Sequence, residues 1–421
     1  MRSIISLTAL TLGAGAVSAP ALAQYATPPA SYAPVAPATV GAAPLCHANV
    51  SKEARKALVD LQIAVIAKDA ANIPARVAAA QALAKTPDDK CFIGLMQQQA
   101  AVDRGDLKGL SAAIEAQLGS GVVPSTRIAM LYENLGRMQF NARAYSDAAA
   151  TFERALQIAP TAASAVVMLA ETRVKQNRVA DALPLYKKAI ALESAAGRKA
   201  DQNWYKRSVS AAYDAKSPLA FGLARDWIAA YPSAQNWRDA IRIHAALSGL
   251  DNAGLIDMYR LARINRALAG EADYGRYAQV ALAKGFAGEA KAMLEEGFAA
   301  NAIDRNSAVF KPLYAEATTK AAGDRAALGG QAKTAQAGTA VKPLMALGEA
   351  YFGYGDYAQA ATMFRAAQAK TGVDAELANL RLGMALAASG DKPGAKAALD
   401  LVTGSRAEIA RYWLAYLAAR P

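Results

Sequence analysis

Residues 130–160 read MLYENLGRMQFNARAYSDAAATFERALQIAP, and this stretch decides the fold class. Tyr132, Leu135 and Gly136 fall at helical spacing on one segment. Ala148, Phe152 and Ala155 do so on the next, and Pro160 stops it. Shifted by 34 residues the pattern returns as Val166, Leu169 and Ala170, then Ala182, Tyr186 and Ala189. Nearer the C-terminus it recurs as Leu344, Leu347, Gly348 and Tyr351, followed by Ala360, Phe364 and Ala367. A further copy has Leu382, Gly383 and Leu386, then Ala395 and Leu399. Chance periodicity accounts for one such unit. The same small-residue positions returning near one period indicate stacked two-helix units.

Looser copies fill the remainder. Val59, Ile63, Ile66, Ala75 and Ala79 fit one unit; Met96, Ala100, Ala112 and Ala116 fit another. Trp204, Ala220 and Ala224 fit a third, and Tyr274, Tyr277, Ala278 and Ala290 a fourth. Residues 237–266 and 310–333 read as degenerate hairpins, the second weakened by Gly329-Gly330. No run shows strand alternation.

The recurring residues resemble the tetratricopeptide repeat signature, in which small residues let two helices approach and large apolar residues fill the gaps. The resemblance implies an all-α fold: a right-handed superhelical solenoid of about nine to ten stacked antiparallel hairpins. It also implies a concave groove, lined by first helices, that receives a peptide or a segment of another protein. By position the groove candidates are Glu133, Asn134, Arg137, Lys175, Tyr205, Arg238, Arg242, Arg276 and Gln279. Arg238 and Arg242 lie one turn apart and could offer two guanidinium forks to a carboxylate or phosphate. The family's carboxylate clamp of lysines and asparagines is not reproduced.

The N-terminus reads as an export signal. Arg2 precedes the apolar run Ile4 to Val17, and Ala21-Leu22-Ala23 supplies a cleavage site after Ala23. The apolar run is too short to span a bilayer. Residues 24–50 form a tether rich in proline and alanine. The expected organisation continues with weak hairpins over 51–128, two clear repeats over 129–196, degenerate hairpins over 197–340, two repeats over 341–404 and a capping helix over 405–421. The compartment expected is periplasmic or secreted, and the mature chain is not expected to span a membrane. There the two cysteines, Cys46 and Cys91, read as one disulfide; two buried free thiols are the alternative.

The chain of 421 residues carries a formal net charge of +12. Nine basic residues against three acidic ones lie between Arg173 and Arg207, half of that surplus. Such a stripe suits acidic protein segments or an anionic polysaccharide; export argues against nucleic acid. A solubilising face is the plainer reading.

Catalytic motifs are missing. The histidines are His47 and His244 alone, and there is no H-E-x-x-H, C-x-x-C, phosphate loop or G-x-S-x-G elbow. Adjacent Cys46 and His47 lack the oriented geometry that nucleophile activation needs. No cofactor, metal or reaction is expected. The leading expectation is a periplasmic scaffold that holds a protein or peptide. A subunit of a polysaccharide synthesis or export machine comes second, and a helical accessory of a cell-wall hydrolase third.

Overall fold

The computed structural model describes Cys46 and residues 49–419. The expected signal peptide, most of the tether and His47 lie outside the described residues. Among the described residues the chain forms 21 α-helices, one 3-10 turn and no strand. The first helices are α1 (Lys52–Ile66), α2 (Ile73–Leu83), α3 (Pro87–Arg104), α4 (Leu107–Ser120), α5 (Ser125–Asn141), α6 (Tyr145–Ile158) and α7 (Ala163–Lys175). The middle set is α8 (Val179–Ala195), α9 (Gln202–Asp214), α10 (Leu219–Ala230), α11 (Ala234–Leu247), α12 (Asn252–Ile264), α13 (Gly270–Ala283) and α14 (Ala287–Ala299). The last are α15 (Phe310–Ala321), α16 (Asp324–Ala337), α17 (Val341–Gly353), α18 (Tyr357–Gln368), α19 (Ala375–Ser389), α20 (Lys392–Asp400) and α21 (Ala407–Ala418). Each packs on its neighbours in sequence, as in a helical solenoid.

The turn inside a helix pair has a recurring geometry. One residue adopts a left-handed conformation, and the next backbone N–H donates to a carbonyl five residues back. At Gly105 (φ 65°) the following Asp106 N–H reaches Ala101 O at 2.9 Å. Gly355 and Gly390 repeat this, with Asp356 bonding Tyr351 and Asp391 bonding Leu386. The aspartates then cap the next helix, their carboxylates accepting from the N–H groups of Gly109, Gln359 and Gly394. Arg143, Asn177 and Lys216 hold the same backbone without a glycine.

Side-chain packing explains the small residues of the repeat. A Cβ added to Gly136 would stand 2.7 Å from the Phe152 ring. Gly348 meets Phe364 and Gly383 meets Leu399 in the same way. Phe152 and Phe364 are fully buried. The missing methyl of one helix thus makes room for the large side chain of its partner.

Two features differ from simple stacking. In α1 the apolar stripe expected at Val59, Ile63 and Ile66 is 47%, 60% and 72% exposed, while Ala54, Leu58, Leu61 and Val65 are buried. The register is corrected because α1 carries apolar residues on two faces and begins the described row, so it has neighbours on one side only. At the other end, α21 packs on α19 and α20 but also returns to α10 and α12. There Glu408 accepts from Arg225 at 2.7 Å, and the Tyr412 hydroxyl reaches Ala240 O at 3.4 Å. Cys46 and Cys91 form a disulfide with Cα atoms 5.5 Å apart, tying the segment before α1 to α3.

Candidate binding clefts and their charges

The expected groove residues separate into distinct environments. Arg137 on α5 is half-buried and bound to Glu133 at 2.6 Å, and Glu133 also accepts from Ser164 on α7 at 3.0 Å. Asn134 is half-buried beside them, whereas Lys175, Arg276 and Gln279 are exposed. Tyr205 is buried instead of open to a groove, set edge-on to Tyr231 at 5.8 Å. Burial raises its phenol pKa. Its repeat position belongs to a first helix, but the ring turns inward, where apolar area is removed from water.

Arg238 and Arg242 do converge on a carboxylate, and it is an internal one. Arg242 Nη2 donates to Asp273 at 2.8 Å, and Arg238 Nε lies 3.8 Å from the other oxygen. Arg238 also donates to Ala267 O at 2.7 Å and to Gln235 Oε1 at 2.8 Å. Asp273 on α13 therefore occupies the position that a partner's carboxylate was expected to fill.

The basic stripe is similarly subdued. Its four arginines each form an ion pair: Arg173 with Glu153, Arg178 with Asp181, Arg198 with Glu193 and Arg207 with Glu171. Lys175, Lys187, Lys188 and Lys199 remain exposed. The Lys199 ammonium stands 3.8 Å from the centre of the Tyr231 ring, a cation–π contact.

A larger site lies further along. A cleft of about 960 Å³ opens between the α13–α14 turn, α16 and α17. Ala327, Leu328, Ala335, Ala346, Leu347 and Ala350 give it apolar walls, and Lys284, Asp324 and Tyr354 add polar groups. Tyr354 OH donates to Asp324 at 3.2 Å. Small side chains keep the cleft wide, and Gly288 and Gly353 let α14 and α17 close at its base, where an added Cβ would strike Tyr354 and Glu289 respectively. The exposed face of α16 carries Gly329 and Gly330, yet the helix runs through both.

Glu289 and Glu349 also line this cleft, and both belong to a buried ionic network. Arg260 on α12 grips Glu289 through two bonds of 2.8 and 2.7 Å and donates to Glu349 at 2.5 Å. Arg381 on α19 bonds both Glu349 and Asp257, and Tyr277 OH donates to Glu289 at 2.6 Å. Burial opposes the charge on Glu349, but Arg260 and Arg381 outweigh it and hold its pKa at about 2. Burial dominates at Asp257 and raises its pKa, with Arg381 opposing. Five charged groups on four helices thereby act as one joint. Such bonds stand roughly one repeat apart: 29 residues for Arg260–Glu289, 32 for Arg381–Glu349 and 31 for Arg242–Asp273. Opposite charges offset by about 30 residues within apolar stripes are the sequence signal that could have located this network.

Among the described residues no helix is long and apolar enough to cross a membrane, and no group of His, Cys, Asp and Glu is placed to hold a metal ion. No protein-family model matches the chain, and no curated protein matches it with significant sequence similarity.

Proposed function

We propose that this chain is a non-catalytic periplasmic scaffold of the tetratricopeptide type, wound as a right-handed superhelix, that holds a segment of a partner protein. The observation that carries the reading is the 960 Å³ cleft, walled by small apolar side chains and braced from beneath by the Arg260–Glu349 network. Its volume suits a short peptide stretch. The ionic joint fixes the surrounding helices, so little ordering is needed on binding. Gly136–Phe152 and Gly348–Phe364 packing supports the tetratricopeptide assignment. The Cys46–Cys91 disulfide fits an oxidising compartment.

A photo-crosslinking residue at Ala346 tests this reading in cells that export the full chain. Ala346 is exposed and lines the cleft. The expected result is a discrete crosslinked partner, lost when Ala350→Trp fills the cleft. A label at exposed Lys187 serves as the control. Crosslinks identical to those from Lys187, or turnover of peptidoglycan by the purified chain, would sink the proposal.

One observation supports the polysaccharide reading as second. Lys199 and half-buried Trp204 line a separate cleft of about 570 Å³ with Arg198 and Asp201. A lysine ammonium and an indole lining one cleft, with Arg198 already paired to Glu193, suit an anionic sugar.

A further inference from the structure

The beginning of the described row carries a face of its own, separate from the clefts. Of the nine large apolar residues exposed among the described residues, Val59, Ile63 and Ile66 lie on α1, and no other helix contributes more than one. At 3.6 residues per turn they share one side of α1 with Lys52, Arg55 and Lys56, the six spanning an arc of about 100°. Ala54, Leu58, Leu61 and Val65 point the opposite way, into a cluster with Ile73 and Ala80 of α2 and Ile93 and Ala100 of α3. The exposed face therefore looks out of the row, where the next helix of a stack would sit.

The two halves of this face differ in chemistry. Its second half is the apolar stripe, at the i, i+4 and i+7 spacing on which a neighbouring helix packs. Its first half is cationic. Lys52 and Arg55 are exposed and form no ion pair among the described residues, while Lys56 is bonded to Asp60 at 2.8 Å. Asp60 and Glu53, the acidic residues of α1, both fall outside the arc. A clustered apolar stripe running into unpaired cations marks an interaction surface for something both apolar and acidic.

We infer that this face docks an amphipathic helix of a partner protein, its apolar residues over Val59, Ile63 and Ile66 and its carboxylates beside Lys52 and Arg55. The charge pattern selects this occupant over the others. Residues 24–45 contain no charged side chain, so the chain's own tail would leave both cations unmatched. A second copy of α1 would set cations against cations when parallel, and cations against Ile63 and Ile66 when antiparallel. A helix lying in a membrane interface keeps its cations on the polar face, away from its apolar one. On α1 the two share a single face.

The test is fluorescence anisotropy on the full exported chain with two labelled, alanine-based helical peptides. Each carries leucines and then glutamates along one face at the spacing of the α1 residues, the two peptides running in opposite directions. The chain is expected to bind one of them. Ile63→Gln, at an exposed position, is expected to weaken that binding about tenfold. Lys52→Glu with Arg55→Glu is expected to weaken it as much, and to bind instead the peptide with lysines in place of glutamates. Both changes put an anion in the first turn of α1, which the helix dipole favours, so the fold is kept. No binding of either peptide, or binding that these variants leave unchanged, would overturn the inference. So would a wild-type dimer that Ile63→Gln splits, peptide binding that appears only once residues 24–45 are removed, or binding to phosphatidylglycerol vesicles alone. These outcomes assign the face to a second copy, to the tail and to a membrane. Peptide binding that Ala350→Trp abolishes would place the peptide in the cleft beside α16 and α17, overturning this inference and leaving the scaffold reading intact.

Discussion

At the scale of single residues, the turns and the buried histidine make quantitative claims. Lys216 sits in the left-handed region (φ 51°), is exposed and forms no ion pair among the described residues, so its side chain gives back little for the strain. Lys216→Gly is expected to raise stability by about 1 kcal/mol, measured by urea denaturation. His244 binds its proton near pH 6.5 when unfolded and near pH 4 when folded. Its contribution is therefore complete above about 6.5 and declines as the pH falls to 4. The groups acting on it are Glu408 and Arg225, with Tyr412 against the ring. His244→Phe should gain about 3 kcal/mol on the wild type between pH 6.5 and 4. Parallel denaturation curves across that range would show that the imidazole is not held neutral. Neither effect could be read from the sequence. Lys216 looks like any surface lysine, and His244 among alanines signals only a helix.

At the scale of elements, the repeats were legible because their cause is local. Gly136 and Phe152 lie one helix apart, and the period of 34 copies their relation onto Ala170 and Tyr186. The aspartates after Gly105 and Gly390 mark helix starts directly. What stayed hidden was orientation. Tyr205 occupies a groove position by count, yet its ring is buried. Val59, Ile63 and Ile66 make a plausible core stripe until α1 is seen to begin the described row. The link between the first elements is covalent, its cysteines 45 positions apart in sequence. Cys91→Ser is expected to cost about 4 kcal/mol in the chain-entropy account. The loss should appear as an early unfolding step of α1–α4 by hydrogen exchange, with α17–α20 unaffected.

At the scale of the whole molecule, the ionic joint and the returning helix turn a row of repeats into a closed body. Buried Asp257 is bonded by Arg381, and buried Glu349 is shared between Arg381 and Arg260. Arg381→Ala strands Asp257, leaves Glu349 to Arg260 alone and should destabilise the protein by about 3–5 kcal/mol, whereas Arg381→Met together with Asp257→Leu should recover much of that loss. Differential scanning calorimetry checks both; an Arg381→Ala protein as stable as the wild type would show that the joint contributes nothing. Periodicity carries the pairs of the joint that lie one repeat apart and nothing of the returning helix. A repeat pattern specifies neighbours, while the partners of Arg381 and Glu408 lie up to 183 residues away.

The placement of α21 also has a consequence for the order in which the molecule is finished. Helices near the N-terminus find their neighbours as soon as they emerge. The surfaces of α10 and α12 wait for residues 407–418 to be made. A chain stopped short of residue 407 would fold most of its length and still display an unfinished middle, open to proteases. Synthesis of α21 thus marks the point at which the middle of the row becomes covered.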